Sequence, residues 1–386
     1  MTRTLARAAL VPAAIAAGWA LLGHPRRAAA TATVTVQRVP SGGIQPEVVS
    51  DGNNAVHLIY FAGEPAHGDL FYVRSADGGA TFSAAVRVNS EPGTAVAIGS
   101  IRGGRIALGR AGMVHVAWNG PGPNAPMLYA RLKPDGSGFE PQRNLLGRTT
   151  TLDGGGAVAA DRKGNVYVAW HARAEGTPAN ETSRQVFLAR STDDGRTFSS
   201  ERAAWDARTG ACGCCGLAVL ADRLDTVFAL YRSATELVHR DVYALVSRDH
   251  GETFRGARLH PWQVSRCPLT SMALAESRSG VVGAWETDGN VYFAALDAAG
   301  PKAGVPVAPP GEPARRKHPR LARSDGGETL LVWTEGTAWA RGGSLAWQLF
   351  DSQGKVLPVA GNRPGVPVWS FGAVAARPDG GFTVLY

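Results

Sequence analysis

All four cysteines of this 386-residue chain lie in two short clusters, Ala211-Cys212-Gly213-Cys214-Cys215-Gly216 and Ser265-Arg266-Cys267-Pro268. Two chemistries fit them. An even number of cysteines in an exported chain reads as disulfides, one from Cys267 to the first cluster and a second within it. Inside the cluster a Cys214–Cys215 bond requires a distorted peptide, and a Cys212–Cys215 bond a tight loop. Thiolates so closely spaced also suit a soft metal, copper or zinc, with Met272 offering a thioether and His260 or His318 an imidazole. A c-type haem attachment is excluded, because Gly216 stands where that motif needs histidine. No other feature demands a cofactor.

The elements that position these groups are set by a repeat. The pattern Ser-x-Asp-x-Gly-x-Thr-Phe occurs three times: Ser75, Asp77, Gly79, Thr81, Phe82; Ser191, Asp193, Gly195, Thr197, Phe198; and Ser247, Asp249, Gly251, Thr253, Phe254. Each fixed position has a task in a tight hairpin. The carboxylate accepts backbone N–H groups of its own turn, the hydroxyls reinforce it, and the glycine supplies positive φ. The phenylalanine is expected to plug the space beneath the next hairpin strand. The pattern is that of the Asp-box, or BNR repeat, and the chain resembles the sialidase-like β-propeller superfamily. The resemblance implies that the boxes sit on blade edges, away from any active site.

The repeat also gives the period. Ser191 to Ser247 is 56 residues and Ser75 to Ser191 is 116, so a worn copy is expected near residue 133, where LKPDGSGFE (132–140) stands. Two more follow at LDAAGPK (296–302) and FDSQGK (350–355). Upstream of each turn runs an apolar strand, a polar Gly/Asp turn and a strand ending in an aromatic residue. Those ends are Tyr60, Trp118, Trp170, Tyr231, Trp285, Trp333 and Tyr386. Seven inner hairpins against six outer turns predict an all-β propeller of four-stranded antiparallel blades, seven in number, with six as the alternative. The N-terminal strand ATVTVQRVP (32–40) then pairs with the C-terminal hairpin (371–386), closing the ring and protecting two sheet edges.

Loops entering the innermost strands converge on one mouth, where propellers take their ligands. These loops hold Arg102, Arg105, Asp153, the two cysteine clusters, the run Arg315-Arg316-Lys317-His318 and Trp369. Repeat phase brings Cys267 close to Cys212, Cys214 and Cys215 there. The basic run reads as a solvated loop, and His57, His115 and His171 as strand residues facing blade interiors or solvent. The resemblance to sialidases implies three arginines on a substrate carboxylate, a Tyr nucleophile paired with Glu, and an Asp acid/base. Arg102, Arg105 and Arg320 are the carboxylate-ligand candidates and Asp153 the acid/base candidate. The family's early Arg-Ile-Pro motif is replaced here by SGGIQPEV (41–48), so the expected role is a binding module for a glycan, small-molecule or protein ligand. Sialidase-type hydrolysis is the alternative, and a soft-metal or redox propeller the second.

Residues 1–30 read as a secretory signal, with Arg3 and Arg7 before the apolar run 8–23 and cleavage after Ala30 or Ala32. Residues 31–386 then form one propeller domain, secreted or periplasmic; an uncleaved N-terminal anchor is the alternative. Formal charge is +8 for the whole chain. Four arginines leave with the leader, so the mature value is about +4, which gives no case for nucleic acid. No later segment is long and apolar enough to span a bilayer, and a monomer is expected.

Overall fold

Alternating apolar and β-branched residues between Gly/Asp turns give short strands that pair with their sequence neighbours. A computed structural model describes residues 32–386 except 123–124, 151–153 and 314. The leader expected over residues 1–30 lies outside the described residues.

Seven antiparallel sheets follow one another along the chain. Their innermost strands are Ile44–Ser50, Arg105–Leu108, Gly156–Ala160, Ala218–Ala221, Ala273–Ser277, Arg316–Arg323 and Ala373–Ala376. We number the blades 1 to 7 in that order. Blades 1, 2, 4 and 6 are simple four-stranded sheets, and blade 3 adds the short strand Thr149–Thr150. Blade 5 has three full strands, and its fourth position is held by the bridges Phe293–Val307 and Leu296–Ala303. Blade 7 is the C-terminal hairpin plus Val34–Gln37, which pairs with Phe382–Leu385 in parallel. The ring is closed by the N-terminal strand, as the orphan-strand argument requires. No helix among the described residues is long and apolar enough to cross a membrane.

Each blade is apolar on both faces, so its central strands are buried throughout, as Val114–Asn119 and Val227–Arg232 are. The core is therefore divided into one apolar layer per interface between neighbouring blades. Blades 1 and 2 share Ile59, Phe61, Leu70, Val114, Val116 and Trp118. The ring-closing layer joins Val39 and Leu385 to Leu58, Tyr60 and Val73. All seven aromatic strand ends are buried. The strand histidines are buried as well, with the His57 and His115 imidazoles each 2.7 Å from a tyrosine hydroxyl, of Tyr72 and Tyr129.

The three Ser-x-Asp turns share one hydrogen-bond set. Ser75 Oγ donates to Asp77 Oδ1 at 2.7 Å, Gly79 N–H donates to Ser75 Oγ at 2.8 Å, and Thr81 donates twice to the same carboxylate. The other two turns repeat it. Gly79, Gly195 and Gly251 all have positive φ. In the worn copies Asp135, Asp297 and Asp351 still accept a backbone N–H two residues on. The phenylalanines reach sideways into the layer between blades: Phe198 of blade 3 meets Tyr129 of blade 2 edge to face at 4.8 Å. The turns are contacts between blades. Arg202 on the outer strand of blade 3 donates to the Gly251 carbonyl of blade 4 at 2.6 Å, and Arg143 of blade 2 reaches Gly195 and Arg196 of blade 3 in the same way.

These turns make acid stability predictable. Hydrogen bonds from Thr81 and Ser75 hold Asp77 at about 2, below its ordinary 3.8. At Asp193 and Asp249 burial pushes the carboxyl up, but the turn's hydrogen bonds outweigh it and leave both at about 2. A carboxyl depressed in the folded state stabilises it fully above the ordinary value and loses that contribution as pH falls through the depressed one. The urea midpoint is expected to fall between about pH 4 and pH 2, and to fall less steeply when all three aspartates are changed to asparagine. An equally steep fall in that variant would contradict the assignment.

Candidate functional site

The seven innermost strands enclose a central channel of about 390 Å³. Its two ends differ. Where the strands begin, Gln45, Arg105, Leu217, Met272, Arg320 and Phe371 are buried. Where they finish, Ser50, Leu108, Ala160, Ala221, Arg323 and Ala376 are partly exposed. Among the described residues the channel wall is thus more buried where the loops converge and more exposed at its far end. Between them its wall is mostly alanine, valine and leucine.

An ionic cluster stands at the more buried end. Glu47 of blade 1 lies between Arg105 of blade 2 and Arg320 of blade 6, and both guanidiniums bind the same oxygen, Oε1, Arg320 at 2.6 Å. Arg320 also donates to Ser271 Oγ at 3.1 Å and to the Met272 carbonyl at 3.3 Å. Its guanidinium carbon sits 4.3 Å from the centroid of the Phe371 ring, a cation–π contact. Burial lowers Arg320 to about 10, with Glu47 opposing, so it stays charged at neutral pH. His318 is enclosed with its Nδ1 3.3 Å from Ser271 Oγ. Burial first, then the charges of Lys317, Arg320 and Arg105, push it down to about 3, which keeps it neutral. Two cations share one anion, leaving one net positive charge at the base of an apolar tube.

Local backbone aims these groups inward. Blades 1 and 6 each carry a register shift on the innermost strand, between Ile44 and Glu47 and between Lys317 and Arg320. Gln45 and His318 have φ of 52° and 50°, and each is followed by proline and then by the ionic residue. A bulge of this kind re-aims the side chain after it. Glu47 escaped the sequence reading. The shared Gln45-Pro46-Glu47 and His318-Pro319-Arg320 pattern was the available signal.

The cysteines form a second cluster, at the mouth face. Cys212 and Cys215 are buried, Cys214 is half-buried and Cys267 exposed. Cys212 Sγ lies 3.4 Å from Cys214 Sγ and 2.8 Å from Cys215 Sγ, and all four cysteines are free thiols. The disulfide expectation is therefore not met: a bond needs sulfurs about 2.05 Å apart. A tight turn, with Cys215 N–H donating to the Cys212 carbonyl at 3.3 Å, points the sulfurs together. Burial and its cysteine neighbours push Cys215 up. Cys212 falls below the usual thiol range although burial opposes it, because Cys214 and Cys215 donate to it and Arg240 is near. Burial and Cys214 raise Cys267 to about 11.

No protein-family model matches this chain, nor does any curated protein sequence. Solved structures do. A Dyadobacter fermentans protein of unknown function is 14% identical, with 86% of this chain and 98% of that one aligned and a TM-score of 0.54. Penicillium chrysogenum α-L-arabinanase, complexed with arabinobiose, is also 14% identical over 85% and 99% of the two chains, TM-score 0.53. Trypanosoma rangeli sialidase, in complex with the inhibitor DANA, is 12% identical over 80% of this chain and 56% of its own, TM-score 0.51. The fold is a sialidase-like β-propeller.

Within this propeller the sequence candidates separate. Arg105 and Arg320 converge in the channel, whereas Arg102 is half-buried on the loop before blade 2. Asp153 lies outside the described residues. Trp369 is on the mouth face, edge to face with Trp339, and its carbonyl accepts from Gln45 Nε2 at 2.8 Å. The depression between these tryptophans, Lys317 and His318 holds only about 10 Å³. Tyr231 and Tyr243 stack on each other within blade 4, away from the arginines. Arg315 is exposed, but the rest of the basic run is not a solvated loop. Arg316 is buried 5.3 Å from the Trp333 ring centroid, Lys317 donates to the Pro268 carbonyl at 2.6 Å, and His318 is enclosed. His260 accepts from Trp285 Nε1 at 2.8 Å on an outer strand, and Met272 packs in the layer between blades 4 and 5. Neither joins the thiols.

Proposed function

We propose that this is an exported, ligand-binding propeller that holds a small carboxylate-bearing sugar in its channel, without sialidase activity. The observation that carries the reading is the Arg105–Glu47–Arg320 cluster: two buried guanidiniums with one carboxylate between them, at the end of a tube large enough for one monosaccharide. Bidentate guanidiniums match a ligand carboxylate, and the low-dielectric wall strengthens the attraction. Arg320 Nε is buried and has no hydrogen-bond partner among the described residues, so the protein leaves this guanidinium incompletely satisfied. Among the described lining residues the carboxylates are Glu47, held by both arginines, and Glu276, which Arg223 binds at 2.9 Å, and no tyrosine is among them. Export is supported by the leader's composition.

Calorimetric titration with N-acetylneuraminate and glucuronate, with glucose as neutral control, tests this. The acidic sugars are expected to bind and glucose not. Arg320→Met is expected to weaken binding roughly ten- to a hundredfold, the loss of hydrogen bonds to a charged group worth about 1.5–3 kcal/mol. Equal binding of glucose, or no effect of Arg320→Met, would contradict the site. Fluorophore release from an aryl sialoside, abolished by Arg320→Met, would establish the hydrolase reading instead.

A further inference from the structure

We propose that Cys212, Cys214 and Cys215 form a trithiolate site for copper(I) on the mouth face, with Cys267 as the surface thiol through which the ion arrives. The three Sγ atoms lie within 4.8 Å of one another, on a four-residue segment. Metal–sulfur bonds of about 2.3 Å place three trigonal sulfurs about 4 Å apart, so each would need to shift by roughly 1 Å or less.

The surroundings fit thiolates and select among metals. Arg240 and Lys317 are the nearby cations acting on these sulfurs. Leu269 N–H donates to Cys214. The adjacent carboxylate, Glu181, is already engaged: Arg240 binds it at 2.7 Å, Arg184 at 3.2 Å, and Gly213 N–H donates to it at 2.7 Å. It is thereby held back from the metal as a hard ligand. An all-sulfur donor set selects soft ions. Structural zinc is closed by four ligands, which here would need the exposed Cys267, whereas three sulfurs suffice for copper(I). Burial of Cys212 and Cys215 shields the ion, and half-buried Cys214 beside exposed Cys267 leaves a path to it.

The scaffold also ties this cluster to the channel. Gly216, next to Cys215, donates its N–H to the Thr270 carbonyl at 2.9 Å, and the following Ser271 holds Arg320.

The test uses the full chain, reduced and handled without oxygen, titrated with copper(I) against a chromogenic copper(I) chelator. One ion per chain is expected, with thiolate-to-copper charge-transfer absorption. Cys214→Ser, at a half-buried position that leaves the fold intact by circular dichroism, is expected to lower affinity at least a hundredfold. Cys267→Ser is expected to slow loading and change affinity less than tenfold. Failure of the folded, reduced wild type to compete with the chelator overturns the proposal. So does tighter zinc binding that Cys267→Ser abolishes, or an exported protein whose intact mass is four hydrogens low, showing two disulfides. Arg320→Met should leave copper binding unchanged, so failure here and failure of the sugar-binding reading are distinguishable.

Discussion

Glu47→Ala is expected to destabilise the propeller by about 3 kcal/mol, because it leaves two buried guanidiniums without their counter-charge. Removing one member of a buried ion pair commonly costs about 3–5 kcal/mol. The lower end applies because the Glu47 side chain keeps 17% of its surface exposed. The same change should tighten binding of an acidic sugar, since the internal carboxylate competes with the ligand for the arginines. Stability and affinity are thus expected to move in opposite directions. The double variant Glu47→Ala/Arg320→Met should recover part of the lost stability, because one uncompensated charge is removed. Urea unfolding and calorimetry on the same three proteins check both signs. A Glu47→Ala protein as stable as wild type would contradict the role of Glu47 as the counter-charge of both arginines.

Trp118→Ala is expected to cost about 3–5 kcal/mol, the range for emptying a large aromatic site in a packed core. Trp118 is fully buried in the layer between blades 1 and 2, and its Nε1 donates to the Thr94 carbonyl at 3.0 Å. Alanine would leave both a cavity and an orphaned carbonyl. Trp118→Phe keeps most of the volume and should cost roughly half as much. Because the core is divided by interface, the loss falls on one of seven layers. Equilibrium urea denaturation with tryptophan-independent detection gives the value, and a shift below about 1 kcal/mol would contradict the packing account.

The scaffold was legible in the sequence because its signals are local and repeated. Three Ser-x-Asp turns set a period, and the period located worn turns at Asp135, Asp297 and Asp351. The seven aromatic strand ends mark the blades, and the structure buries every one. The ionic cluster was only half legible. Arg105 and Arg320 stood out as arginines near strand starts, but Glu47 is separated from them by 58 and 273 residues and is aimed inward by a bulge. Bulges depend on backbone geometry that composition does not reveal, although the x-Pro-charge pattern in blades 1 and 6 marked both. The run from Arg316 to His318 was misread for a related reason. Consecutive charges suggest a solvated loop, yet Arg316, Lys317 and His318 meet in turn an aromatic face, a carbonyl and an enclosed pocket along one strand. The mouth was expected to take the ligand, but contacts across it, such as Gln45 of the first inner strand with the Trp369 carbonyl, are encoded by no repeat.

A crystal structure of the wild-type protein soaked with N-acetylneuraminate tests the central claim most directly. The account predicts the sugar inside the channel, with its carboxylate hydrogen-bonded to Arg105 and Arg320 beside Glu47. A sugar bound instead on the Trp339–Trp369 face, with the channel arginines unchanged, would contradict it.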